Sequence, residues 1–256
     1  MTSEKAKIAV PRKPIGIEWV RCKGEKALRE RLLAQENVAV LKEQLVQCAD
    51  LGYTRRDLLR HAMKVTPSMS PTLHGLLGLA RKILDLGERQ FEMFVFPSPD
   101  INAYVAPAPG GAVFHVALSS TVLEKFNQRE LLTILGHELG HAIAGHSDVP
   151  IRAMLDSGGH VLSTLDAYKL MALSRYQEIT ADRASLLCSQ DYALAAGCLL
   201  KSASGVTSGA LQFSLPDYLT QLEEIKTLDD VADSSEDWFA THPFSPLRVK
   251  AMELFS

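Results

Sequence analysis

The residue types and spacings that could do chemistry together are gathered in His137-Glu138-Leu139-Gly140-His141, inside the helix-forming run from Leu131 to His146. On an α-helix, residues four apart share a face, so the two imidazoles address one point. Glu138 lies about 100° further round, near enough to touch whatever the histidines hold without sharing its bond. Neutral imidazoles are good Zn2+ ligands and a neighbouring carboxylate can serve as general base, so the pattern points to metal-assisted hydrolysis of a peptide bond. Solvated or packed histidines can show the same spacing, so the rest of a site has to be found elsewhere in the chain.

A catalytic zinc takes three protein ligands and keeps a fourth position open. His146 lies five residues after His141, about 140° round a continuing helix. That places it at the helix end, beside the ligands rather than among them. The pattern that draws a third histidine from just downstream needs Gly three residues after the second His and His three beyond that. Ala144 and Ser147 occupy those positions, and the arrangement fails. A Glu from a later helix is the other solution. Glu178-Ile179-Thr180-Ala181-Asp182 offers Glu178 as ligand, with Asp182 one turn on to accept a ligating imidazole's free N–H and fix its tautomer. An exposed carboxylate pair on a helix has the same spacing.

These residues need rigid support. Asn127 with Glu130 three later forms a capping box that starts the histidine helix about two and a half turns before His137. Ahead of it, residues 91–96, 101–105 and 112–118 read as three short strands separated by Pro- and Gly-containing turns. They predict a small, mostly antiparallel sheet packed on that helix. The front of the chain is helical. Apolar spacing predicts one helix over 25–49, a second over 54–65 stopped by Pro67, and a third from Ser70-Pro71 to before Gly87; residues 15–20 read as a short strand. Downstream, a helical region over 160–191 in more than one piece, and helices over 193–200 and 217–228, precede a terminal helix capped by Ser245-Pro246. Residues 202–209 read as a mobile Ser/Gly-rich loop and 229–237 as a solvated acidic loop.

Composition narrows the classes. A chain of 256 residues with 46% hydrophobic and 22% charged residues can bury a sizeable core. A net charge of −3, with no basic stripe or stacking platform, excludes a nucleic-acid reading. Four cysteines without Cys-x-x-Cys spacing point to buried thiols rather than a disulfide framework. No apolar run has the length of a signal peptide or a membrane span, and the chain reads as cytoplasmic.

Three motifs stand in order: His137-Glu138-Leu139-Gly140-His141, then Glu178-Ile179-Thr180-Ala181-Asp182, then His242-Pro243 followed by Arg248. Together they resemble the CAAX prenyl-protease/HtpX group of gluzincin zinc metallopeptidases, over roughly residues 91–254. Asn102-Ala103-Tyr104 also resembles the Asn-Ala-aromatic edge strand of thermolysin-like enzymes. The resemblance implies a zincin-like peptidase domain over 91–256; with the N-terminal helical segment over 1–90 that apolar spacing gives, the chain is expected to be α+β, mainly α, and able to pack as one unit. It implies one Zn2+ per chain on His137, His141 and Glu178, a zinc-activated water with Glu138 as general base, and Asp182 behind a ligating imidazole. His242 or Arg248 would steady the oxyanion; each has a structural alternative, a His-Pro turn and a pin for the terminal helix. Asn102, Ala103 and Tyr104 would bind substrate peptide as an added strand. Many members of that group carry membrane-spanning helices beside the motif, and this chain shows none. A protein partner held through residues 1–90 belongs to the competing readings: a zinc-bound module without proteolysis, which the intact Glu138 argues against, and a latent peptidase whose cleft is blocked by the N-terminal segment or by 202–209.

Overall fold

Asn127 starts the histidine helix as the sequence predicts: its side chain accepts from the N–H of Glu130, and the Glu130 carboxylate accepts from the Asn127 N–H. The computed structural model describes residues 16–48, 53–108, 111–206, 212–229 and 245–256. In chain order the elements are α1 (Ile17–Val20), α2 (Lys23–Leu33), α3 (Glu36–Cys48), α4 (Tyr53–His61), β1 (Met63–Val65) and α5 (Pro71–Ile83). Then come β2 (Gln90–Phe96), β3 (Ala103–Pro107), β4 (Val113–Ser119), α6 (Ser120–Lys125) and α7 (Gln128–Ala144). A 3-10 turn (His146–Asp148) leads to α8 (Ile151–Ser157), α9 (Thr164–Ser189), α10 (Tyr192–Ser204), α11 (Leu215–Asp229) and α12 (Ser245–Glu253).

The architecture is α+β and mainly α. Its sheet has four strands in the order β1-β2-β4-β3, one more than expected. The β1–β2 and β3–β4 pairs are antiparallel and β2–β4 is parallel, so the sheet is mixed. Strand alternation divides its two faces. Met93, Val116 and Leu118 point into the main core with Leu132, Leu135 and Leu139 of α7 and Leu77 and Ile83 of α5, while Phe94 and Ala117 pack under Leu58 of α4.

Several boundaries differ from the sequence reading for physical reasons. The helix expected over 25–49 is two, because Leu32 and Val38 are six residues apart and one continuous helix would bury them on different faces. The break at Ala34 and Gln35 lets Leu32, Val38 and Leu41 enter one cluster with Met154, Leu170 and Leu173. The helix expected to reach residue 65 ends at His61, since Met63–Val65 pairs with β2 instead. Residues 17–20 are helical, not extended. Conversely, α9 is one helix of 26 residues, started by a capping box between Ser163 and Asp166. Ser202–Ser204 form the last turn of α10, closed by Gly205 in the left-handed region, while 207–209 and 230–244 lie outside the described residues. No helix among the described residues is long and apolar enough to cross a membrane.

Candidate active site

Two glycines set the distance between the histidine helix and α9. A Cβ on Gly136 would lie 2.7 Å from Cβ of Cys188 and 3.1 Å from Cα of Ser185. One on Gly140 would lie 2.7 Å from Cβ of Ala184 and 3.0 Å from Cα of Ala181. With hydrogens there instead, the two backbones approach closely enough for Glu178 to reach the imidazoles of His137 and His141.

The three side chains converge. Nε2 of His137 and Nε2 of His141 are 3.2 Å apart, and the Glu178 carboxylate oxygens lie 3.5 Å and 3.6 Å from them. All three ligand atoms fall within 4.8 Å of one another. A tetrahedral zinc with bonds of 2.0–2.1 Å keeps its ligand atoms roughly 3.3–3.4 Å apart, so this donor set matches that ion in type and spacing. Asp182 stands behind it: Oδ1 is 3.1 Å from His137 Nδ1, so Nε2 is left facing the shared point.

Arg248, from α12, is committed to the carboxylates. Its Nε and Nη2 each donate to Asp182 at 2.7 Å, and Nη2 lies 3.2 Å from Glu178. Arg248 is thus the pin that docks the terminal helix on the site. His242, the other expected oxyanion donor, lies outside the described residues with Pro243.

Electrostatics separate the groups. Burial pushes the Glu138 carboxyl up to about 7, with Glu178 adding to the rise, against His137, Arg248 and the Val105 N–H, which favour the anion. Asp182 is equally buried, yet Arg248 and His137 outweigh burial and hold it below the usual range. His137 is raised, because hydrogen bonds to Asp182 and Glu178 outweigh desolvation, while desolvation depresses His141. The carboxylates thus stabilise positive charge at this point of the fold.

A cavity of about 630 Å3 opens onto these groups, with the edge strand β3 along one side. Asn102, Ala103 and Tyr104 all line it. The Ser119 N–H donates to the Asn102 carbonyl and the Ala108 N–H to the Val113 carbonyl, so the even-numbered residues between them bond to β4. The main-chain groups of Ala103 and Val105 therefore face the open edge. The Tyr104 ring lies 5.8 Å from that of Phe96, on the sheet face that carries α4.

The sequence is matched by peptidase family M48 over residues 71–163 and 152–255. The chain belongs to peptidase family M48. Among relatives, the plastoglobule-localized metallopeptidase 48, chloroplastic, of Arabidopsis thaliana is 28% identical over 208 residues, covering 75% of this chain. The M48 chain spans 59% of that relative's length. The crystal structure of S. mikatae Ste24p aligns with a TM-score of 0.45 at 14% identity, over 84% of this chain and 55% of that one. The family match begins at residue 71, within the segment for which the motifs alone gave no family likeness.

Sequence reasoning missed two sets of residues. Gly136 and Gly140 were visible only as members of the motif, and their role emerges from α9. Glu25 reaches the site from α2, 112 positions before His137, with no motif to mark it. His146 contacts His141 because α7 ends at Ala144 and Gly145 turns the chain in the left-handed region, so the helical angle no longer applies.

Proposed function

We infer that this M48 chain is a zinc-dependent endopeptidase, with His137, His141 and Glu178 as ligands of one Zn2+ and Glu138 as general base. The observation that carries this is the convergence of two Nε2 atoms and one carboxylate at zinc spacing, beside a second, buried carboxylate, Glu138, on the same helix. Zinc at this point would supply Lewis acidity, polarising the scissile carbonyl and lowering the pKa of water.

The chain's own groups divide the remaining work. Glu138 takes a proton from the attacking water and returns it to the leaving amine. Its burial excludes bulk water, and a dication beside it would draw its pKa down from about 7 and leave it ionised to accept that proton. Asp182 holds His137 in the Nδ1–H tautomer, and Arg248 fixes Asp182, so Arg248 is proposed as a positioning residue rather than an oxyanion donor. His242 remains the proposed donor from outside the described residues. Substrate peptide would lie along β3, bonding to the edge-facing main-chain groups of Ala103 and to the Val105 carbonyl, with Asn102 and Tyr104 flanking; such pairing demands little of the substrate's sequence.

The direct test pairs two variants. Glu138→Gln is expected to bind about one zinc per chain and to lose cleavage of an unstructured protein such as casein. His141→Ala is expected to lose the metal. Cleavage by Glu138→Gln at the wild-type rate would remove Glu138 from the chemistry, and stoichiometric zinc in His141→Ala would remove the ligand assignment.

A further inference from the structure

Glu25 is an ionisable side chain with no surface exposure, and it has no part in the proposed hydrolysis. A carboxylate is costly in an interior unless it is paired. Glu25 has three partners. Arg21, one turn earlier, forms an ion pair with it, and the Thr180 hydroxyl donates to its second oxygen. Nε2 of His146 lies 3.4 Å from Oε1. That buried Nε2 has no hydrogen bond of ordinary geometry, and this carboxylate is its ionic neighbour. Thr180 in turn accepts from the Cys22 N–H at 2.9 Å, which fastens the start of α2 to α9 two residues beyond Glu178.

The other nitrogen of His146 completes the chain. Its Nδ1 lies 2.7 Å from Nδ1 of His141, and two ring nitrogens at that distance must be one donor and one acceptor. His141 turns Nε2 toward His137 and Glu178, so its proton belongs on Nδ1, from which it donates to His146. His146 Nδ1 is then the acceptor, and its own proton sits on Nε2, facing Glu25.

We propose that Glu25 and His146 are positioning residues of the metal site: Glu25 holds His146 as the Nε2–H tautomer, and His146 holds His141 with its Nε2 lone pair on the metal point. The proposal rests on the zinc-peptidase reading. It gives the two ligand imidazoles matching support. His137 is backed by Asp182 with Arg248 behind it, and His141 by His146 and Glu25 with Arg21 behind them. It also makes the N-terminal helical segment part of the site. Arg21 and Arg29 of that segment donate to the Ala144 carbonyl at the end of α7, so the segment grips the ligand helix where His146 leaves it.

The test uses the full chain and zinc alone. Zinc affinity is measured by competition with a chromophoric chelator for wild type, His146→Ala, Glu25→Ala and Glu25→Gln, with helix content followed by circular dichroism. Long-range 1H–15N spectra of the zinc-loaded wild type report the His146 tautomer. Loss of a group behind a metal ligand weakens binding roughly 10–100-fold. That loss is expected for both alanine variants at unchanged helix content, with Glu25→Gln retaining more affinity because its amide oxygen still accepts. His146 is expected as the Nε2–H tautomer. An affinity of His146→Ala within threefold of wild type, or a His146 Nδ1–H tautomer, overturns the proposal even where Glu25→Ala fails to fold. Wild type that binds no zinc overturns the zinc-peptidase reading itself; unaltered variants beside a zinc-binding wild type overturn the relay alone.

Discussion

Glu138 and Asp182 are both buried carboxylates beside His137, and their surroundings push them in opposite directions. Glu138 has few stabilising partners, and burial holds it high in the metal-free fold. Asp182 receives two hydrogen bonds from Arg248 and one from His137, and stays ionised as an anchor. Separation of two carboxylates by environment is how one site assigns different roles to like groups. Removing one partner of a buried pair costs about 3–5 kcal/mol, because the other charge is stranded. Asp182→Ala is therefore expected to lower stability by about that amount in urea unfolding and to weaken zinc binding; full stability would show that Arg248 finds another partner. At this scale the sequence was informative where the proposed ligands share a motif. His137, Glu138 and His141 lie on one helix turn, and Glu178 and Asp182 on another, so spacing alone reveals each group. Glu25 was illegible because its partners come from three separate elements, and a lone Glu on an amphipathic helix looks solvated.

The helix pair α7 and α9 is where a local change would do most damage to the site. Gly140→Ala places a methyl group against the α9 backbone at Ala181, and overpacking of this kind costs about 1–3 kcal/mol. Because the strain is relieved by separating the helices, Glu178 should retreat from the imidazoles. The expected result is a lower midpoint of thermal unfolding together with weaker zinc binding. Weakened stability with unaltered zinc affinity would show that the spacing of the helices does not govern the ligand set. Asn127→Ala removes the cap of α7 and is expected to cost about 1 kcal/mol, read as a shifted denaturation midpoint with zinc affinity retained, since the cap lies two and a half turns from His137. Cap chemistry was legible in the sequence because it is local: Asn127, Ser70 and Ser163 each accept from the first turn of their helices. Strand β1 was not, because Met63–Val65 is extended only through pairing with β2, thirty residues on in the register.

Across the whole molecule, the helices ahead of β2 and the elements that follow share side-chain contacts rather than merely adjoin. Leu73, Leu77 and Ile83 of α5 lie in the same core as Leu132 and Leu135 of α7. Arg55 of α4 and Lys64 of β1 both bind Glu92 of β2. The Arg55 hydrogen bond, opposed by desolvation and helped by Lys64, draws the Glu92 carboxyl down to about 2. A depressed folded-state pKa means stability that is present above the unfolded value of 4.5 and is lost as pH falls toward 2. Arg55 and Lys64 are substantially exposed, so the contribution is on the order of 1 kcal/mol. Glu92→Gln should be less stable than wild type by that amount at pH 7, with the gap closing near pH 2; a constant gap would assign the loss to packing. Deleting residues 1–33 separates two views of the N-terminal segment. A blocking segment predicts higher activity without it, whereas the contacts of α2 with α7 and α9 predict weaker zinc binding. The cytoplasmic expectation draws no support from the Arabidopsis relative, whose name places that protein at the plastoglobule.

Zinc-edge anomalous diffraction from zinc-loaded crystals addresses the identity of the ligand set without relying on any substrate. One anomalous peak per chain is expected, about 2.0–2.2 Å from Nε2 of His137, Nε2 of His141 and a carboxylate oxygen of Glu178, with Glu138 outside bonding distance. A peak ligated by His146 or Glu138, or one located away from α7 and α9, would contradict this ligand set.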